Sequence, residues 1–163
     1  MIIKRAKSIS FFVAGTPAPG GSKRAFVLRR KGGAIVTRPN GSPIVNVTDA
    51  AGEKNKIWRS SVALFGSVAM GGRSPMLEPL AVQVTFYVKR PAGHFGTGRN
   101  AGVLKESAPA FPAGTPDLLK LMRSTEDALT GIVWKDDAQI VDEVLHKRYG
   151  EKTGAQIVVS VPD

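Results

Sequence analysis

The sequence from Thr115 to Val141, TPDLLKLMRSTEDALTGIVWKDDAQIV, joins an amphipathic segment to an acidic turn and the start of an alternating segment. At about 100° per residue, its leucines from position 121 onward and Met122 fall on one apolar face, which predicts a helix from Pro116 or Asp117 to Thr130. Gly131 is a typical helix-ending residue. The stretch therefore predicts a helix followed by a turn and a strand.

Carboxylates stand at both ends of this stretch. Asp117 begins the helix, and the pair Asp136 and Asp137 follows in the turn. Mg²⁺ takes oxygen ligands and keeps several waters, so one or two carboxylates can hold it. Adjacent residues of an extended chain face opposite sides, so one of the pair would face a metal while the other caps a turn or contacts Lys135. Asp117, Asp137 and Asp136 are thus candidate metal ligands, and Glu126 is a possible substitute.

The remaining elements are predicted from periodicity and turn residues. Leu80 to Val88 alternates apolar and polar residues most clearly and predicts a strand. The other predicted elements are a strand over 8–14, a hairpin over 23–36 that turns at a glycine pair, an extended piece over 44–47, a helix from a cap at Thr48 or Asp49 to about Met70, and strands over 140–148 and 156–161. This order predicts one α+β domain over 1–163, with a mixed or antiparallel sheet and two main helices.

Two segments carry further expectations. Residues 91–115 are rich in glycine, alanine and proline, and loops of that length in a compact domain are usually functional or disordered.

The side chains expected on the inner face of the helix that ends near Met70 are Ile57, Val62 (or Ser61), Leu64, Phe65 and Val68.

The charge is distributed unevenly along the chain. The 163 residues carry a formal net charge of +10, but residues 1–116 hold 17 basic and 4 acidic groups, whereas residues 117–163 hold 6 basic and 9 acidic groups. Basic side chains that neutralise phosphates release counterions, so a basic body favours a nucleic acid as partner. Acids set into such a body are what a metal-dependent nuclease requires, although an uneven solvated surface would give the same count.

Several basic side chains are candidates for contacts with the DNA backbone, which position DNA without reading its sequence. One group lies in the predicted hairpin and the other borders the loop over 91–115; a solvated surface is the alternative for both. The candidates are Lys23, Arg24, Arg29, Arg30, Lys31, Lys89, Arg90 and Arg99.

Composition excludes other classes. The chain has no cysteine, which rules out disulfide scaffolds and cysteine zinc sites. No apolar run approaches the length of about 20 residues that a membrane-spanning helix needs, and we expect no signal peptide and a cytoplasmic location. His94 and His146 stand apart from any metal-binding pattern. Trp134 is expected in the core or a hairpin, although base stacking is an alternative.

The stretch from Pro116 to Tyr149 resembles the RusA family of Holliday-junction resolvases, which are endonucleases of phage and prophage origin. Members share Pro-Asp-x-Asp-(Asn/Lys)-Leu at a helix start, then Asp-Ala-Leu-(Thr/Asn)-Gly, an aromatic residue and Asp-Asp-(Ala/Ser)-Gln-(Val/Ile)-Val. The matching residues here are Pro116-Asp117, Leu121, Asp127-Ala128-Leu129-Thr130-Gly131, Trp134 and Asp136-Asp137-Ala138-Gln139-Ile140-Val141. Over the first 90 residues only the order of elements agrees.

The resemblance implies a homodimer that binds four-way DNA junctions and nicks opposing strands with Mg²⁺, or with Mn²⁺. By position, the family's catalytic residues fall on Asp117, Leu119, Arg123 and Asp137. Leu119 stands where the family has an aspartate, and leucine cannot ligate a hard cation. On the predicted helix Leu119 is in line with Arg123 and Glu126. The alternative is that Leu119 simply widens the apolar face.

We therefore expect a junction-resolving endonuclease encoded by a phage or prophage, with cleavage impaired by Leu119. A junction-binding protein that keeps the fold without catalysis is one alternative. A basic module that binds RNA or DNA without preferring junctions is another, and competition by linear duplex would separate it from the first two.

Overall fold

The computed structural model describes residues 8–20, 23–49 and 52–162. Its main elements are β1 (Ser8–Ala14), β2 (Lys23–Val27), β3 (Val45–Asp49), α1 (Gly52–Met70), β4 (Leu80–Val88), α2 (Leu118–Leu129), β5 (Ile140–Tyr149) and β6 (Gly154–Ser160). The predicted order of strands and helices is confirmed, and so is the α+β class.

Four strands form a mixed sheet in the order β1-β6-β4-β5. All neighbours are antiparallel except β4 and β5, which are parallel. Cross-strand partners share a face of the sheet, so the buried residues Val82 and Val84 of β4 lie on the same face as Glu143 and Leu145 of β5. The edge strand β5 therefore places Glu143 and Leu145 on the face of the sheet that carries the hydrophobic core.

Both helices contribute to the core on that side of the sheet. Trp58 of α1 is buried, and its indole Nε1 donates a hydrogen bond of 3.2 Å to Thr125 Oγ1 of α2. At Gly66 a Cβ atom would stand 2.6 Å from Leu129 Cδ2, so any larger residue would force the Leu129 side chain to move where α1 meets α2. Among the described residues, neither helix is long and apolar enough to cross a membrane.

The prediction for α1 was wrong about most of its inner face. The backbone of Thr48 and Asp49 belongs to β3 and the described part of the helix begins at Gly52, so the predicted cap lies outside the described side chains. The buried side is formed by Asn55, Trp58, Val62, Gly66 and Met70. Of the residues expected to face inward, Val62 is buried and Phe65 is partly buried against the core, whereas Ile57, Leu64 and Val68 are 60, 62 and 70 % exposed.

A separate two-stranded ribbon is formed by β2 and β3. The predicted turn at the Gly32-Gly33 pair is present, with a bridge between Arg29 and Ile35. The main partner of β2 is nevertheless β3 and not residues 34–36, because a second turn at residues 38–42 brings the chain back once more. Lys23 and Arg24 begin this ribbon, and Arg29, Arg30 and Lys31 are exposed towards its first turn.

Candidate active site

The N-terminus of α2 is fixed by Asp117. Its Oδ1 accepts hydrogen bonds from the backbone N–H groups of Leu119 at 3.0 Å and Lys120 at 3.3 Å. A carboxylate in this position satisfies backbone donors that have no partner within the helix and interacts favourably with the helix dipole. One carboxylate oxygen of Asp117 is thus occupied by the cap. The side chain is exposed.

An open cleft of about 500 Å³ runs along the solvent side of α2. Leu119, Arg123 and Glu126 contribute one stripe of the helix, which is the alignment that the sequence predicted. The full lining is Gly20, Leu119, Lys120, Met122, Arg123, Glu126, Asp127, Asp137 and Glu143. Leu119 is 70 % exposed, so the alternative in which it extends the apolar core face of α2 is wrong.

The pair Asp136 and Asp137 divides its roles as expected, but the reason is a short 3-10 helix over Asp137–Gln139, capped by Asp136, and not the predicted extended chain. Asp136 Oδ1 accepts from the N–H of Ala138 at 2.9 Å, while Gln139 Oε1 accepts from the N–H of Asp136 at 2.9 Å, which forms a capping box. Gln139 Nε2 also donates to the carbonyl oxygens of Met76 and Glu78, so the turn is tied to the chain before β4. Asp137 lines the cleft and Asp136 does not.

Carboxylates in the cleft repel one another. Partial burial and the nearby charges of Glu143, Asp137 and Asp127 raise the pKa of Glu126 to about 6, and the Arg123 guanidinium offsets this only in part. Loss of solvation also raises the pKa of Glu143. The cleft is therefore a site of concentrated negative charge within a basic chain.

Partial burial and this repulsion together predict a pH dependence of folding. Because the pKa of Glu126 is raised from 4.5 to about 6 in the folded protein, its protonation favours folding below pH 4.5, and that contribution is lost as the pH rises through 6. We expect Glu126→Gln to flatten the decline in the free energy of unfolding over this range, measured by urea unfolding in EDTA. Glu151→Gln, on the exposed turn after β5, is the matched control. Equal pH slopes for Glu126→Gln and the parent would contradict the prediction.

The donor chemistry of the cleft suits a hard divalent cation, since Asp137, Glu126 and Glu143 offer only oxygen ligands. Within the residues that the structure describes, no three carboxylate or imidazole groups converge as a preformed ligand set. Mg²⁺ is usually held by one or two carboxylates and several waters, so a set of three is not required for it. Asp117 lies outside this lining, on an adjacent groove that shares Lys120 with the cleft.

The basic residues beside the loop over 91–115 differ in how accessible their side chains are to DNA. Arg90 lies 4.0 Å from the centre of the Tyr149 ring, and its Nη1 donates to the Pro109 carbonyl oxygen at 2.8 Å. It therefore helps to shape the loop. Lys89 and Arg99 are exposed. His94 is a loop residue whose ring meets that of Tyr149 edge to face, with 5.7 Å between ring centres.

Trp134 and Asp127 make structural contacts, and one acid of the cleft, Glu143, was not predicted. Trp134 is fully buried and donates through Nε1 to Thr130 Oγ1 at 3.1 Å, so it is a core residue. Asp127 lies 3.6 Å from Arg59 of α1, which gives it a structural contact. Sequence reasoning missed Glu143, although period-two counting along β5 from Leu145 would have placed it on the helix side.

Comparison with known proteins agrees with these features. The family model for endodeoxyribonuclease RusA matches residues 30–161. The chain is also 24 % identical over 151 residues to the uncharacterized protein YqaN of Bacillus subtilis (strain 168), a match that covers 93 % of this chain and 94 % of the relative. The acidic cleft on α2, the Asp-Asp turn before β5 and the extent of the family match lead to one assignment: the chain belongs to the RusA endodeoxyribonuclease family.

Proposed function

We propose that this protein is an endonuclease that resolves four-way DNA junctions by divalent-metal-dependent hydrolysis of phosphodiester bonds. The observation that carries the proposal is the cleft in which Asp137, Glu126 and Arg123 meet on an otherwise basic chain of this family. We further propose that a phage or prophage encodes it and that it works in the cytoplasm of a bacterial host.

Each side chain of the cleft has a proposed role. Asp137 of the cleft and Asp117 of the adjacent groove would hold the metal, Mg²⁺ or Mn²⁺, with Glu126 and Glu143 as additional oxygen donors; Asp117 would use the carboxylate oxygen that does not cap α2. When bound, the metal supplies polarisation of the phosphoryl oxygen and activation of water. Arg123 donates to the phosphate and stabilises the negative charge that develops on it. Asp136 keeps its capping role and acts only by shaping the turn.

Leu119 limits the activity of this cleft in our proposal. It occupies the solvent side of α2, one turn before Arg123 and two turns before Glu126, with 70 % of its surface exposed. An apolar side chain offers no oxygen to a cation there and leaves the metal with fewer ligands. We therefore propose that cleavage is weaker than in a variant with aspartate at this position, whereas junction binding is retained.

DNA binding is proposed to involve the ribbon and the loop before α2. Arg29, Arg30 and Lys31 are exposed near the turn of the ribbon, and Arg29 Nη1 also donates to the Gly33 carbonyl oxygen at 2.8 Å. A basic two-stranded ribbon can follow a phosphate backbone. Lys23, Arg24, Lys89, Arg90 and Arg99 complete the proposed set.

The deciding experiment combines binding and cleavage on one substrate. A labelled four-way junction is incubated with the protein at fixed salt, with unlabelled junction or linear duplex as competitor, and nicking is then followed with Mg²⁺ or Mn²⁺. We expect the junction to compete far better than the duplex, and metal to be required for nicking. Junction-selective binding without nicking, even after Leu119→Asp, would favour the non-catalytic binding protein. Equal competition by duplex would favour a module without junction preference.

We also propose that the protein is a homodimer, and the outer face of α1 is our candidate for its interface. Ile57, Leu64 and Val68 follow one another at spacings of seven and four residues, so they form one exposed apolar stripe on the helix. Contiguous apolar surface of this kind marks interaction sites, and an isologous dimer could bury the stripe against itself.

If the stripe on α1 forms the dimer interface, a single charged substitution within it should prevent dimerisation. We expect Leu64→Glu to convert a dimer into a monomer in light scattering after size exclusion, because a carboxylate at the centre of the stripe would lose its hydration on association. Val103→Glu, at a loop position that is 60 % exposed, is the matched control and should stay dimeric. Equal masses for Leu64→Glu and the parent would remove α1 from the interface.

A further inference from the structure

A lysine of β5 holds the chain that leads into α2. Lys147 Nζ donates hydrogen bonds to the Gly114 carbonyl oxygen at 2.7 Å and to the Pro116 carbonyl oxygen at 2.8 Å. These two carbonyl groups belong to the residues immediately before Asp117, and Lys147 is only partly exposed. The ammonium group is thus directed into the protein at the entrance of the helix that carries the cleft.

The register of the sheet explains why this contact affects the cleft. Lys147 pairs with Phe86 and Glu143 pairs with Val82, so both lie on the helix side of β5. The four steps from Glu143 to Lys147 span about 13 Å of strand, and the nine steps from Asp117 to Glu126 span a similar length of helix, about 13.5 Å. Lys147 is bonded at the start of α2, and Glu143 lines the cleft together with Glu126, so α2 runs back along β5.

Since the turn at Asp137 leads directly into β5, this strand fixes both parts of the candidate site. The beginning of β5 fixes the position of Asp137, because the turn that contains Asp137 is directly joined to it. Near the end of β5, Lys147 fixes the position of Asp117, because it is hydrogen-bonded to two carbonyl groups of the segment from which α2 begins. A charged donor to backbone carbonyls makes a stronger contact than a neutral one, so Lys147 contributes to fixing the position of the helix start.

We propose that Lys147 is a positioning residue for metal-dependent cleavage, and that it acts by holding Asp117 and the start of α2 at a fixed place relative to Asp137. The inference rests on the proposed function. Lys147 does not contact the phosphate in this role, since its donors are directed at Gly114 and Pro116. Its effect is carried by Asp117.

The test uses Lys147→Met in the full chain, with and without Leu119→Asp, and Lys105→Met as matched control. Lys105 also donates to a loop carbonyl, that of Gly93 at 2.8 Å, but it is not bonded to the segment before α2. Three quantities are measured: Mn²⁺ affinity by calorimetry, hydrogen exchange at the Leu119 and Lys120 amides that Asp117 caps, and junction affinity.

We expect Lys147→Met to weaken Mn²⁺ binding by about tenfold, as loss of an outer support of a metal site does, and to speed exchange at the two capped amides. Junction affinity should stay unchanged, Lys147→Arg should recover most of the Mn²⁺ affinity, and Lys105→Met should change neither quantity. Unchanged Mn²⁺ affinity in Lys147→Met, or equal losses in Lys105→Met, would overturn the proposal while the parent still binds metal and nicks junctions. A parent and Leu119→Asp that neither bind Mn²⁺ nor nick would refute the proposed function itself, and the role of Lys147 in cleavage with it.

Discussion

Leu119→Asp is expected to raise the rate of metal-dependent junction nicking by about 100-fold, the upper end of what a change in metal-site support produces. The reason is geometric. Position 119 lies on the cleft side of α2, in line with Arg123 and Glu126, and a carboxylate there would add an oxygen ligand to the proposed metal site. Single-turnover nicking of a labelled four-way junction at several Mg²⁺ concentrations measures the effect.

The substitution should not disturb the fold. Leu119 is 70 % exposed, so little apolar contact is lost, and its backbone N–H remains bonded to Asp117. An acidic residue in the first turn of a helix interacts favourably with the helix dipole, by about 0.3–1 kcal/mol. Repulsion by the other carboxylates of the cleft opposes this gain, so we expect a thermal stability close to that of the parent.

Leu119→Asn is the matched control, because it has nearly the shape of aspartate without its charge. We expect it to leave nicking close to the parent rate. If the parent and Leu119→Asp nick at the same rate, the metal is held by other acids and position 119 has no part in catalysis.

Asp137→Asn is expected to abolish detectable nicking, including in the Leu119→Asp background, while junction affinity at matched salt stays within about threefold of the parent, because a single side chain in the cleft adds little to phosphate contacts made elsewhere. Asp137 lines the cleft, and its negative charge contributes to the raised pKa of Glu126. Removing that charge takes away a ligand at the centre of the acidic cluster.

Asp136→Asn separates the two neighbours. Asparagine can still accept the hydrogen bond from Ala138, so the capping box and the turn are kept. We expect normal nicking for this variant in the Leu119→Asp background. Loss of nicking in Asp136→Asn but not in Asp137→Asn would exchange the roles of the two residues.

The cleft side of α2 could be predicted from the sequence because its pattern is local. The helix is strongly amphipathic, its cap is Asp117, and its apolar residues at positions 121, 122 and 129 are all buried. Counting by 100° therefore placed Leu119, Arg123 and Glu126 together. Glu143 and Lys147 were not predicted as neighbours of α2, because their positions depend on the pairing of β5 with β4, two strands that are distant in the chain.

The buried face of α1 could not be predicted from hydrophobic periodicity. Its buried side includes Asn55, whose Nδ2 donates to Ser124 Oγ at 2.6 Å, and Gly66, which meets Leu129. A polar residue and a glycine carry no hydrophobic signal, whereas Ile57 and Leu64 do, although they lie outside. Contacts with α2 determined the orientation of α1, and periodicity alone favoured the opposite side.

The position of β6 in the sheet has a consequence for how the molecule comes into being. β6 lies between β1 and β4, although it is the last strand in chain order. Ala14 pairs with Gly154, so joining β1 to β6 closes a loop of about 140 residues, and pairings of such long range form late in folding. During synthesis on the ribosome, β1 and β4 cannot pair with β6 until it has been translated, which happens after both α2 and β5. The sheet that supports the candidate cleft is therefore completed only after all residues that line the cleft have been translated.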